Sequence, residues 1–341
     1  MGRAYLPHRR APRGARTRRS PTGKIAFQGG IPETALWTLP ADTNAGRVTG
    51  SLERITAEKA VVGYASTTAD GTTVVFGSNR TGSMEVILRD LLSGQERVLT
   101  SDAPDQSKTY ALIDTTGSMV LYAVNAPNDV NSHDVYVIPG RGGVKRKICD
   151  ACGWTMSLSP DRQYFLARQE EGVGSHVAVV DVASGTSTPL LKTGSGAIDA
   201  ARFSPDGNWI VFTVTRAYAS IDVMIAPFRG RTIIPESDWV TVTPTPGDTY
   251  HVFWSPNGGL VYYDLSTAGS SALMARRLDS SHHPIGDAFR VYEFAGSSES
   301  SRIGNRNSKP YCSGVGCCVL GPTSDRADDV SPLKGIGVPS A

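Results

Sequence analysis

The chain lacks a long apolar run, an export signal and every short motif that names a reaction. No stretch approaches the ~18 consecutive apolar residues that would suggest a transmembrane helix, so no membrane span is expected. Arg18-Arg19 has the spacing of a twin-arginine signal, but Ser20 to Lys24 is polar where such a signal needs an apolar stretch. Localisation is therefore left open: cytoplasmic if Met1 is the genuine start, periplasmic if the start lies upstream. GxSxG, HExxH and GxxxxGK[ST] are missing, which removes the nucleophile elbow, the zinc-peptidase helix and the phosphate loop as starting points. Charge of one sign is missing too: 34 Lys and Arg face 32 Asp and Glu, a net +2, so no general affinity for nucleic acid follows. Five cysteines form no clean disulfide framework. Sustained 3.6-residue periodicity with caps is absent, so helices are not expected.

What the chain does have is glycine and proline, 36 and 21 of them, placed in a pattern. In "RFSPDGNWIVF", Ser204, Pro205, Asp206 and Gly207 suit a type I turn between two short apolar runs. The pattern recurs in "YASTTADGTTVVFGS", "YALIDTTGSMVLYAV", "WTMSLSPDRQYFLAR" and "HVFWSPNGGLVYYD". Taking Gly71, Gly117, Arg162, Gly207 and Gly258 as equivalent, the steps are 46, 45, 45 and 51 residues. Each turn is followed by a second strand, then a third ("MEVILRD", "HDVYVIP", "HVAVVDV", "IDVMIAP", "SALMARRL") and a short fourth after a Gly or Ser turn. Four strands in each period of about 45 to 50 residues define propeller blades, whose small sheets bury their faces on one another around an axis.

The expected fold is therefore all-β: a six-bladed β-propeller of four-stranded antiparallel blades. Five full repeats are preceded by a partial one, "KIAFQGGIPETALWTLPADTNAGRVTGSLERIT", which supplies strands without an inner strand of its own. Closing the ring needs a strand from the C-terminal end, and after Phe294 only Val315 to Leu320 reads as one. The expected organisation is a disordered basic leader at 1–22, the propeller at 23–302 and an irregular, poorly ordered tail at 303–341.

The SPDG-type turns, "NRTGSMEVILRDLLSGQERVLT" and "RGRTIIPESDWVTVTP" resemble the WD40-like repeats of bacterial TolB-type six-bladed propellers. "GKIAFQGG", "LWTLPADTNAGRVTG" and "ARRLDSSHHPIGDAFRVYEF" are similar to a group of such propellers found alone or attached behind a serine/threonine kinase or winged-helix domain. The match covers about residues 23 to 302, and relatives continue past the position of Arg302 with strands that have no counterpart here. The resemblance implies a binding or sensing module without chemistry of its own, and leaves room for the chain to be a fragment of a larger signalling protein.

In a propeller, a site draws on equivalent positions from several inner strands. Aligning the turns places Tyr64, Tyr110, Thr155, Ala200 and His251 in one column, with Trp154, Asp199 and Tyr250 beside it. Tyr and Trp join apolar area to a hydrogen-bonding tip, which suits peptide or small-ligand recognition. The competing reading of the column is packing of blade on blade. Arg202 is a candidate to point a guanidinium at an anionic group in the channel, whereas Asp206 is expected to satisfy its own turn. The ligand-binding candidates are thus Tyr64, Tyr110, Trp154, Asp199, Arg202, Tyr250 and His251, with no catalytic residue.

Cys149 and Cys152 have the CxxC spacing of zinc and redox sites, and Cys312, Cys317 and Cys318 could complete a four-thiolate zinc site. Their place in a turn before Trp154 favours a plain loop pair, so neither a metal nor another cofactor is expected. "NDVNSHD", residues 128–134, has alternating oxygen donors but neither the Gly nor the Glu of an EF-hand, and reads as a blade loop. Seven Arg in the first twenty residues could hold nucleic acid only through the leader itself. The expected partner is a protein, a peptide or a small ligand at the channel, bound by a monomer unless ring closure fails. The alternative is an enzyme-linked propeller, either a lactonase-like metal hydrolase or a peptidase-associated one.

Overall fold

The structure is a computed structural model that describes residues 35–294, apart from 57–59, 102–105, 127–128, 173, 195, 218–219, 246–248, 250 and 268–269, together with 17–19, 25–27, 311–312 and 317–320. The remainder of the basic leader and of the C-terminal tail lies outside the described residues. Five antiparallel four-stranded units follow one another in the chain, the third and fourth linked into one sheet by a parallel bridge between Ser175 and Ala197. Blade I runs Val62–Thr67, Thr73–Ser78, Glu85–Asp90 and Glu96–Val98, and blade II runs Lys108–Ile113, Met119–Ala126, Asp129–Pro139 and Arg146–Cys149. Blade III comprises Trp154–Leu158, Tyr164–Glu171, Gly174–Asp181 and Ser187–Leu191; blade IV comprises Ala197–Phe203, Trp209–Ala217, Ser220–Pro227 and Val240–Thr245. Blade V is Val252–Trp254, Leu260–Thr267, Ser270–Leu278 and Pro284–Phe294. Among the described residues the one helical turn is Glu236–Asp238, and no helix is long and apolar enough to cross a membrane.

A sixth four-stranded sheet draws on both ends of the chain. Ala35–Thr38 pairs with Glu53–Arg54 on one side and with Cys317–Leu320 on the other, and Tyr311–Cys312 pairs with Cys317–Leu320. The pairing gives Ala35–Thr38 a partner on the edge that the N-terminal segment leaves open. The small hairpin of Ala41–Asp42 and Arg47–Val48 reaches blade V, where Tyr262 Oη donates to Thr43 O at 2.6 Å and Asn257 N–H to Asn44 Oδ1 at 3.0 Å.

Side-chain alternation explains why the blades stack. Successive residues of a strand face opposite sides of its sheet, so a central strand of Val, Leu and Phe serves two neighbours. Val75 packs with Tyr122 and Val120 of blade II, while Val74 and Phe76 pack with Leu36 of the sixth sheet. Phe165 joins Leu121 of blade II, and Leu166 joins Ile198 and Phe212 of blade IV. Val211 then meets Val252 and Tyr263 of blade V. The core therefore lies between blades, and each of these fully buried side chains contributes roughly 1.5–3 kcal/mol.

The recurring turns form as the sequence predicts. Ser204 Oγ donates to the Asp206 carboxylate, Trp209 N–H donates to Ser204 Oγ at 2.9 Å, and Gly207 closes the turn at φ +75°. Thr68 with Asp70, Ser159 with Asp161 and Ser255 with Asn257 repeat the arrangement. The third and fourth strands are joined by a second motif: Asp90 and Asp181 accept from the N–H groups of Ser93 and Ser184 at 2.7 and 2.8 Å. The segment read as a loop in "NDVNSHD" is instead part of the strand Asp129–Pro139, with a break in its register between Asn125↔His133 and Ala126↔Asp129.

Candidate functional site

The inner strands share an irregularity. Pairing with the second strand slips between Gly63 and Ser66, Thr109 and Leu112, Thr155 and Ser157, and Asp199 and Arg202. In blades I, II and IV the slip places Tyr64, Tyr110 and Ala200 at φ +53°, +51° and +52°. A non-glycine residue there costs on the order of 1–3 kcal/mol, and such bulges re-aim side chains where a site is built. Three of the five predicted column positions, Tyr64, Tyr110 and Ala200, thus sit where the backbone is bent.

At this end of the inner strands the aromatic candidates meet. The Tyr64 and Tyr110 ring centroids lie 3.9 Å apart, and Tyr110 stacks on Trp154 at 5.3 Å with 10° between planes. His133, from the third strand of blade II, meets Tyr110 and Trp154 edge-on at 5.5 and 5.8 Å. Tyr64 remains 42% exposed, so the row has an open face rather than being core throughout. The blades are tied behind it, where Thr155 Oγ1 donates to Tyr110 O and Phe203 N–H donates to Ser157 Oγ at 3.1 Å.

The row continues as a polar arc. Arg168 stands opposite Trp154 in the first hairpin of blade III, and its guanidinium lies 4.5 Å from the indole centroid. It contacts the carboxylates of both Glu170 and Asp199. Burial pushes the Asp199 carboxyl above its usual range, with Arg168 opposing the shift. His251 follows in blade V: its N–H donates to Asp264 Oδ1 at 2.8 Å and its Nδ1 lies 3.2 Å from Asp264 Oδ2. Asp264 is 2% exposed, so the pair fixes the imidazole from below. Tyr64, Tyr110, Trp154, Asp199 and His251 are therefore brought to one arc across five blades. Tyr250 lies outside the described residues.

Arg202 sits apart from the arc. Its Nε donates to Val252 O at 3.1 Å and its Nη1 to Met156 O at 3.0 Å, while Trp254 Nε1 donates to Arg202 O at 3.2 Å. The guanidinium is engaged with main-chain carbonyls of blades III and V and pins the three inner strands together. Asp206 holds its turn, as expected.

Cys149 and Cys152 are joined as a disulfide, with Cα atoms 6.1 Å apart, rather than presenting two thiolates to a metal. The bond spans the step from the outer strand of blade II to the inner strand of blade III. Cys152 N–H donates to His133 O at 2.8 Å, and Gln169 Nε2 donates to Cys152 O at 3.0 Å, so the loop is anchored beside the aromatic row. Among the described residues no group of three or more His, Cys, Asp and Glu is arranged to hold a metal ion.

Sequence reasoning passed over Arg168, Glu170, His133 and Asp264. Their signal was available in the hairpin register: reflecting Trp154 through the Ser159–Arg162 turn lands on Arg168.

Sheets of four antiparallel strands stacked in chain order define a β-propeller. The particular form is TolB-like. A TolB-type protein of Agrobacterium tumefaciens superposes with a TM-score of 0.61 at 15% identity, over 78% of this chain and 90% of that one. TolB of Acinetobacter baumannii gives 0.57 at 17% identity, over 72% and 61%. An oligogalacturonate lyase in complex with manganese gives 0.50 at 14% identity, over 86% and 97%. At these identities the likeness is one of fold. No family model matches the chain, and no curated protein matches it in sequence.

Proposed function

We propose that this chain is a non-enzymatic binding module that holds a peptide segment of a protein partner on the arc at the end of its inner strands. The observation that carries the reading is the aromatic row from Tyr64 through Tyr110 to Trp154, aligned across three blades by bulges that hold two of its residues at positive φ. Large aromatic faces at a partly open site are what peptide recognition uses, since they offer contact area at little cost in side-chain freedom. The tied guanidinium of Arg202 belongs to the scaffold of that site rather than to its surface.

The test is selection of a phage-displayed random dodecapeptide library on the protein and on a Tyr110→Ala variant of unchanged thermal stability. Enrichment on the first and loss on the second supports the reading. Failure to enrich, or equal enrichment on both, refutes it. A second reading, an enzyme working in the same channel, rests on the His251–Asp264 pair beside Asp199, an arrangement that can orient an imidazole base. Hydrolysis of aryl esters or lactones that is abolished by His251→Gln would favour it.

A further inference from the structure

The charge on the arc is unevenly matched. Arg168 is shared by two carboxylates, Glu170 and Asp199. Arg202, the guanidinium expected to meet an anionic group, is engaged with the carbonyls of Met156 and Val252. Two carboxylates thus share one guanidinium, which gives this part of the arc a preference for a further cation. The Asp199 carboxyl is raised first by burial and further by the neighbouring Glu170 charge, against the pull of Arg168. The aromatic half of the arc has the same preference, since the faces of Tyr and Trp attract a cation through their quadrupoles. The protein already uses that attraction: the Arg168 guanidinium lies over the Trp154 indole.

On the reading that the arc is a peptide-binding site, we propose that its partner is basic: a segment that lies along Tyr64, Tyr110 and Trp154 and delivers a lysine or arginine side chain to Asp199 and Glu170 in competition with Arg168. An acidic segment would set its carboxylate against two others in a half-buried place, a repulsion that excludes wrong partners. Arg168 then has a definite part. In the free protein it occupies the position of the missing cation, and binding displaces it from one of its two carboxylates.

Two phenylethyl probes of opposite charge test this, phenethylammonium and 3-phenylpropanoate, titrated against the 15N-labelled protein. The readout is the Trp154 indole cross-peak, assigned with Trp154→Phe. The expected result is that phenethylammonium moves the peak at a concentration at least roughly tenfold lower than the anion, a preference worth about one counter-charge. Asp199→Asn should remove most of that preference. Arg168→Gln should tighten phenethylammonium binding, an outcome that a purely structural arginine would not give. Equal or stronger binding of 3-phenylpropanoate at Trp154 overturns the charge assignment and leaves the arc a binding site. Silence of the peak with both probes also overturns it, and the phage selection decides the peptide-binding reading separately.

Discussion

Lys108 and Glu85 form a buried ion pair whose removal should separate blade I from blade II. Lys108 opens the inner strand of blade II and Glu85 the third strand of blade I; Nζ lies 2.9 Å from Oε1, and the side chains are 1% and 4% exposed. Glu85 also accepts from Ser83 Oγ at 2.8 Å and from Thr100 Oγ1 at 2.6 Å. At 2.9 Å and an effective dielectric of about 20, the attraction is about 6 kcal/mol before desolvation is subtracted. Lys108→Met keeps the volume, removes the cation and leaves a buried carboxylate with two hydroxyl donors. Breaking one partner of such a pair costs about 3–5 kcal/mol, most of it the penalty on the charge left behind. The decisive comparison is the double variant Lys108→Met/Glu85→Gln, in which no charge remains and the two hydroxyls keep an acceptor. It should recover most of the loss. Urea unfolding measures this directly, with the single variant's midpoint falling by roughly 1–2 M at an unchanged slope. A single variant within 1 kcal/mol of the parent, or a double variant additive in its two losses, would refute the reasoning.

Other perturbations address the turns, the arc and the disulfide. Hydrogen bonds hold the Asp114 and Asp206 carboxyls below the usual 3.8, so their stabilisation is complete above that value and is lost as pH falls through the lowered one. Asp206→Asn should therefore flatten the acid limb of a melting-temperature profile, and a limb of unchanged steepness would contradict it. Asp199 has the opposite sign: its carboxyl is raised, so ionisation costs stability at neutral pH and the cost is recovered as pH falls through the raised value. Asp199→Asn should melt higher than the parent at pH 7, with the gap closing towards pH 4; a gap that widens instead would refute it. Gly153 stands at φ +90°, and a Cβ there would lie 2.1 Å from Arg168 O, so Gly153→Ala should destabilise by about 3 kcal/mol or more and shift the Trp154 emission. Reducing the Cys149–Cys152 bond reopens a four-residue loop, worth about 2 kcal/mol by chain entropy, and should loosen the segment that carries Trp154; thermal melts with and without dithiothreitol measure it.

The blades were legible because they are local. A Ser-Pro-Asp-Gly turn chooses its own conformation, and the alternation of Val, Leu and Phe on either side needs no distant information. Reading four strands per repeat therefore located the inner, second and third strands of all five blades. The sixth sheet was harder, because its pairing joins Ala35–Thr38 to Cys317–Leu320 across nearly the whole chain. The need for a closing strand pointed to Val315 to Leu320, but neither segment carries a signal for its register with the other. "NDVNSHD" misled for a different reason: polar residues at a hairpin end look like a loop, yet the ladder of blade II continues through Asp129.

The meeting of Tyr64, Tyr110 and Trp154 in the candidate site was also legible, since a residue counted back from each turn recurs at a similar height on each inner strand. Its chemistry was not, because a column read along inner strands omits the second strand. Arg168 faces Trp154 across the hairpin and turns an aromatic row into a charged one, and Asp264 does the same for His251. Arg202 shows the converse. Its charge suggested a ligand, but after the register slip between Asp199 and Arg202 the guanidinium meets carbonyl acceptors of the strands on either side. The same backbone irregularity thus separates Asp199, which meets Arg168, from Arg202, which meets main-chain carbonyls. A substitution that erases the bulge, such as deletion of Ala200, should consequently disturb Arg202 and Asp199 together rather than either alone.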